Sequence, residues 1–257
     1  MNIRFTAPIV NNKLPQGYEN VSLQMVDICS VMTFLFDVVG VDIPVDKVRA
    51  FWRHHRAVQS PWVSACGNID EETIPIGIFG DGARARQQAF KLPEKVVGIF
   101  VSLPLWRPKS SRQTRFLVFA IDEYELYGRK TLNQVYARLV WALESMLQGR
   151  YPTHDLNGSV LMGARAGQPI TRKGHRFALV EHRGDWSYFR QILGFQGSWV
   201  GGVNVPVCFQ CSAWGSGPAQ DQYYHIHEHA QCWATEYDTV GFLAHQMPSE
   251  QIRPLPN

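Results

Sequence analysis

Between Thr131 and Gly149 the chain places Leu132, Val135, Tyr136, Leu139, Val140, Leu143, Met146 and Leu147 at the three-and-four spacing of a helix with one buried face. Thr131 and Gln134 form a capping-box pair at its head, and Gly149 supplies its stop. On both sides the pattern changes to strands, with Arg115–Ile121 (RFLVFAI) before the helix and Arg176–Glu181 (RFALVE) after it. A strand, a long helix and a second strand in succession demand a right-handed crossover between parallel strands. The chain is therefore expected to be α/β, built round a sheet.

Two further strands precede the helix. Thr73–Ala83 (TIPIGIFGDGA) is apolar on both alternating faces, as expected at the centre of a sheet, and Lys95–Leu103 (KVVGIFVSL) is equally β-rich. Pro104–Gln113 reads as a polar turn region, so the first three strands can meander antiparallel. Beyond the helix come a Gly-rich loop at Asp155–Gly174, a short helix at Trp186–Leu193 and a possible fifth strand at Val203–Cys208. The expected order is β-β-β-α-β-α-β in a mixed sheet.

Residues 1–70 read as an irregular arm followed by two helices, Val21–Val39 stopped by Gly40 and Pro44–His55 with Val48, Phe51 and Trp52 at helical spacing. The expected organisation is an N-terminal helical region over 1–70, a core over 71–207 and a Cys/His-containing extension over 208–257.

The 45% hydrophobic and 18% charged composition excludes a wholly disordered chain. The longest apolar stretch, Val21–Val45, is interrupted by Gln24, Asp27, Asp37, Gly40 and Asp42, whereas a spanning helix needs about 20 predominantly apolar residues. No membrane partner is expected. The N-terminal MNIRFTAPIVNNK lacks the apolar run of a signal peptide, so an intracellular location with reduced thiols is expected. A net charge of +3 says little about partners, and any nucleic-acid argument must come from local basic clusters.

Two acids stand at corresponding ends of strands far apart in the chain: Asp81 in GIFGDGARAR and Asp185 in EHRGDWSYF. Taken singly, Asp81-Gly82 is a strand-ending turn and Gly184-Asp185 an Asx turn or helix N-cap. Taken together, they would meet if the first and fourth strands lie side by side. Paired carboxylates are what phosphodiester chemistry requires, because two divalent ions about 3.5–4 Å apart can activate the nucleophile and stabilise the leaving oxygen. Hard oxygen ligands suit Mg²⁺ or Mn²⁺. The flanking Gly80, Gly82 and Gly184 would let a phosphate come close.

The strand order, with these acids, resembles the RNase H-like superfamily of DDE-type transposases and integrases. More narrowly, FWRHHR (Phe51–Arg56), IPIGIFGDGAR (Ile74–Arg84), TRFLVFAI (Thr114–Ile121), ALESMLQGRYP (Ala142–Pro152), GHRFALVEHRGDW (Gly174–Trp186) and VCFQCSA (Val207–Ala213) are similar to transposon-derived proteins abundant in dinoflagellate genomes. The resemblance implies an RNase H-like fold, Asp81 and Asp185 as catalytic metal ligands for Mg²⁺ or Mn²⁺, DNA as the partner and a nuclear location. It also implies a third acid on a helix beyond a cysteine-containing insertion. Glu228, Glu236 and Glu250 lie on no convincing helix, and Glu144 lies on the long helix, the element that carries an acid in RNase H itself. The expectation is a nuclease-like domain lacking the third acid, with residues 208–257 the start of an insertion cut short. The alternative is a catalytically dead module, derived from a transposon, that binds nucleic acid or protein.

Cys208 and Cys211 form a CxxC followed by His225, His227, His229 and Cys232. Cys208, Cys211, His227 and Cys232 could hold a tetrahedral Zn²⁺, while the competing interpretation is small buried thiols beside a solvated histidine run. A basic group, Arg107, Lys109, Arg112 and Arg115, contains no acid, and Arg84 and Arg86 follow Asp81 directly. These six could contact DNA phosphates, although a charge run is usually just a solvated loop.

Overall fold

The computed structural model describes residues 2–58, 63, 69–86, 94–108, 110, 114–185, 188, 189 and 192. The chain divides into two compact units, Met1–Arg183 and Gly184–Asn257. The first contains a two-stranded and a four-stranded sheet with a few helices, a mixed α/β arrangement.

The N-terminal segment differs from its expected form. Strands β1 (Asn2–Val10) and β2 (Tyr18–Val26) pair antiparallel from Asn2↔Val26 to Val10↔Tyr18, so an ordered hairpin replaces the irregular arm. Val21, Leu23 and Met25 alternate with Ser22 and exposed Gln24, which is strand periodicity. The broad apolar run hid that two-residue period. The helix begins only after Asp27, which is a cap and not an interruption: its carboxylate accepts from the amides of Cys29 (3.2 Å) and Ser30 (3.1 Å). Helix α1 (Ile28–Thr33) then passes into a π-helical turn, Phe34–Val38. Helix α2 (Val45–Ala57) follows Pro44 close to expectation, and buried Trp52 donates its indole N–H to the Thr73 carbonyl at 2.7 Å.

Strands β3 (Ile74–Arg86), β4 (Glu94–Ser102), β5 (Arg115–Asp122) and β6 (Phe177–Gly184) form one sheet in the lateral order β5-β4-β3-β6. β4 pairs antiparallel with both β3 and β5. At the β3–β6 border the Ile74 amide donates to the Arg176 carbonyl at 2.8 Å, and Gly77 lies beside the Glu181 side chain. Both strands thus enter from the same end and run together, which makes the sheet mixed. Gly77 permits that contact, since a Cβ there would stand 2.6 Å from Glu181 Oε1 and 2.7 Å from Ser102 Oγ.

Helix α3 (Gly128–Gln148) joins β5 to β6, and Gly149 ends it in the left-handed region at φ 71°. Leu132, Val135, Leu139 and Met146 are buried as expected, but Val140 and Leu147 face solvent. The capping box is absent. The helix starts at Gly128, three residues before Thr131, whose hydroxyl accepts from the Tyr127 amide and donates to Pro8 of β1. Gln134 accepts instead from Arg138. A residue read as a local cap is therefore a tertiary tie between α3 and the hairpin.

The connection from α3 to β6 is ordered by its own hydrogen bonds, including Tyr151 N–H to Gln168 O and Gly167 N–H to Tyr151 O. The Thr33 hydroxyl, which lies against Tyr151 Oη (2.6 Å) and Ile170 O (2.5 Å), ties this connection to α1. No helix among the described residues is long and apolar enough to cross a membrane.

Candidate active site

Asp81 lies within β3, opposite Gly98 of β4, and is half-buried. The strand continues to Arg86, so Asp81-Gly82 is not the strand-ending turn that the dipeptide alone suggests. Side chains alternate along a strand, placing Asp81 on the face of Phe79 and Gly77. Among the described residues, no group hydrogen-bonds or ion-pairs with its carboxylate. Beside it, a Cβ on exposed Gly82 would meet no atom within 4 Å. That open space lies on the opposite face from the Asp81 side chain, because successive strand residues alternate.

Asp185 directly follows β6 and belongs to the second unit, whereas Asp81 belongs to the first. Its Oδ1 accepts from the Tyr188 amide at 2.6 Å, and the Phe189 amide donates to its carbonyl at 3.1 Å. Asp185 therefore caps a helical turn, while Oδ2 has no protein donor among the described residues. Burial pushes the Tyr188 phenol up, so that side chain is neutral.

Glu181, which sequence reasoning passed over, is a third carboxylate near these strands. It reaches over Gly77 on the Asp81 face and pairs with Arg183. Four residues of strand span about 13 Å, so Glu181 and Asp81 mark different positions on that face. Glu144 is exposed on α3. Among the described residues no group of three or more His, Cys, Asp or Glu is arranged to hold a metal.

Of the basic candidates, Arg115 lays its guanidinium over the Phe79 ring at 3.9 Å from the centroid, on the face that also carries Asp81. Arg107 is exposed beyond β4, next to Trp106, whose ring stacks on Phe116. Arg84 and Arg86 lie on β3, where the backbone alone is described. Lys109, Arg112, the fifth strand at Val203–Cys208 and the zinc candidates Cys208, Cys211, His227 and Cys232 lie outside the described residues, as do Glu228, Glu236 and Glu250.

No protein-family model, no curated protein and no solved structure matches the chain.

Proposed function

We propose that this chain carries an RNase H-like, transposase-like nuclease domain that acts on DNA phosphodiesters, with Asp81 and Asp185 as its metal-binding carboxylates. One observation carries the proposal. Asp81, which has no partner among the described residues, lies on β3, and the strand that borders β3 on its far side from β4 is β6, after which Asp185 comes next in the chain. The lateral order β5-β4-β3-β6, with the long helix α3 between β5 and β6, supports the RNase H-like assignment.

Mg²⁺ or Mn²⁺ held there would supply charge stabilisation at the attacking and leaving oxygens of a phosphodiester. The residues' own part is to hold carboxylate oxygens on β3 and just after β6. Arg115, braced on Phe79, adds a cation to the Asp81 face that suits a phosphate oxygen.

A second reading is a catalytically inactive module of the same fold that binds DNA. It draws support from Asp185, which gives one oxygen to a helix cap, and from the lack of a third ligand among the described residues. Incubation of the chain with supercoiled DNA and Mg²⁺ or Mn²⁺, alongside DNA binding at several salt concentrations, separates the two. Nicking that disappears in Asp81→Asn supports the nuclease. Binding without nicking, weakening steeply with salt as counterion release requires, supports the inactive module. Neither nicking nor binding rejects both. A zinc content of one per chain would support the CxxC site.

A further inference from the structure

Against the N-terminal hairpin and the α3–β6 connection lies a cavity of about 500 Å³ within the first unit. That size falls in the range of small-molecule sites. Its apolar wall includes Ile3, Trp141, Pro152 and Leu161. The Trp141 indole N–H donates to the His154 carbonyl at 2.9 Å, which fixes the ring that faces an occupant. Gly163 lines the cavity too, and a Cβ there would meet no atom within 4 Å.

The polar side of the cavity is unequal in charge. Asp27 is 5% exposed, and its oxygens are already taken by the amides of Cys29 and Ser30 and by the Ser30 hydroxyl at 2.6 Å. Arg165 is exposed and forms no ion pair among the described residues. Its guanidinium lies over the Tyr151 ring at 5.6 Å and donates from Nη1 to Ser30 Oγ (3.3 Å) and Tyr151 Oη (3.4 Å), both neutral hydroxyls at long range. A guanidinium has five donors and prefers a charged, planar acceptor. The charge that an entering molecule can reach is therefore positive, in a cavity whose remaining lining is largely apolar.

We propose that this cavity is a binding site for a small planar aromatic molecule carrying one carboxylate or phosphate, its ring against Trp141 and its anion on Arg165. The site is separate from the Asp81 face and does not depend on the nuclease assignment.

Calorimetric titration of the full chain tests this with three probes: indole-3-acetate, its neutral amide, and adenosine monophosphate. At least one anion should bind, and indole-3-acetate should bind about tenfold more tightly than the amide if the carboxylate is the head group. Tighter binding of adenosine monophosphate instead assigns a phosphate and a nucleotide occupant. Arg165→Gln should remove about tenfold from the preferred anion and leave the amide unchanged. Gly163→Phe should abolish binding while the melting temperature stays near wild type. Failure of both anions to bind, an anion affinity indifferent to Arg165→Gln, or binding that survives Gly163→Phe in a folded protein overturns the proposal.

Discussion

The Ile74 amide donates to the Arg176 carbonyl at 2.8 Å, and this bond sets the entry of β3 beside the entry of β6. From there β6 advances with β3, which is how a segment from the far side of α3 comes to border the strand bearing Asp81. Trp52 holds the carbonyl of Thr73 one residue earlier, so α2 and β6 both grip the point at which β3 begins.

Trp52 therefore carries more than its own burial. It is 0% exposed, and Trp52→Ala should cost roughly 3–5 kcal/mol through lost packing. Trp52→Phe keeps most of the volume and removes the indole donor, and should cost about 1–3 kcal/mol for the carbonyl left without it. Urea denaturation followed by circular dichroism measures both. A Trp52→Phe variant as stable as wild type would show that the hydrogen bond contributes nothing.

Gly149 and Gly158 offer a matched pair. Both have positive φ, 71° and 81°, but a Cβ at Gly149 would meet Arg176 Cγ at 2.9 Å and the His175 carbonyl at 3.0 Å, whereas at Gly158 it meets nothing within 4 Å. Alanine at Gly158 should cost only the backbone conformation, about 1 kcal/mol. Alanine at Gly149 should cost about 2–4 kcal/mol, because the clash falls partly on backbone. Thermal melts of the two variants should differ accordingly.

Stability should fall as the solution is acidified below neutral. Burial, reinforced by Lys173 and opposed by Asp37 and Asp42, holds the His175 imidazole below its ordinary 6.5, and burial does the same at His182. Their neutral forms belong to the fold, so the unfolded chain takes up protons first. The stabilising contribution is complete above about pH 6.5. It is lost as pH falls through the lower folded values. His175→Gln should flatten the decline in urea midpoint between about pH 6.5 and 5. An unchanged slope would remove His175 as a cause.

The core strands and α3 were legible in the sequence because their periods were clean. Ile74–Ile78 is apolar on both faces of a central strand, and Leu132, Val135, Leu139 and Met146 repeat at helical spacing. The hairpin was not legible. Val21, Leu23 and Met25 continue without a Gly or Pro into Ile28, Cys29 and Met32, so two periods merged into one apolar run, and Asp27 was read as an interruption when its carboxylate caps the helix. Thr131 misled for the opposite reason, since its partner Pro8 is 123 residues away and no local pattern encodes that bond. At the candidate site, Asp81 and Asp185 stand out in the chain, but the capping role of Asp185 competes with the metal role proposed for it, and both readings use the same residue. Glu181 gave no motif at all.

Asp81 should be dispensable for folding. Its carboxylate has no partner among the described residues, so Asp81→Asn should change stability by less than about 0.5 kcal/mol. Asp27→Ala should cost about 1–2 kcal/mol, because that carboxylate caps α1. The reverse ranking in chemical denaturation would mean that Asp81 is a structural acid.

The most direct test is Mn²⁺ binding, followed by electron paramagnetic resonance of the free ion, in wild-type protein, Asp81→Asn and Asp185→Asn. Asparagine at 185 retains the capping acceptor toward Tyr188 and removes only the charge. The account predicts that wild type depletes free Mn²⁺ and that each variant binds at least about tenfold more weakly, at unchanged melting temperature. Equal Mn²⁺ binding by all three folded proteins would contradict it.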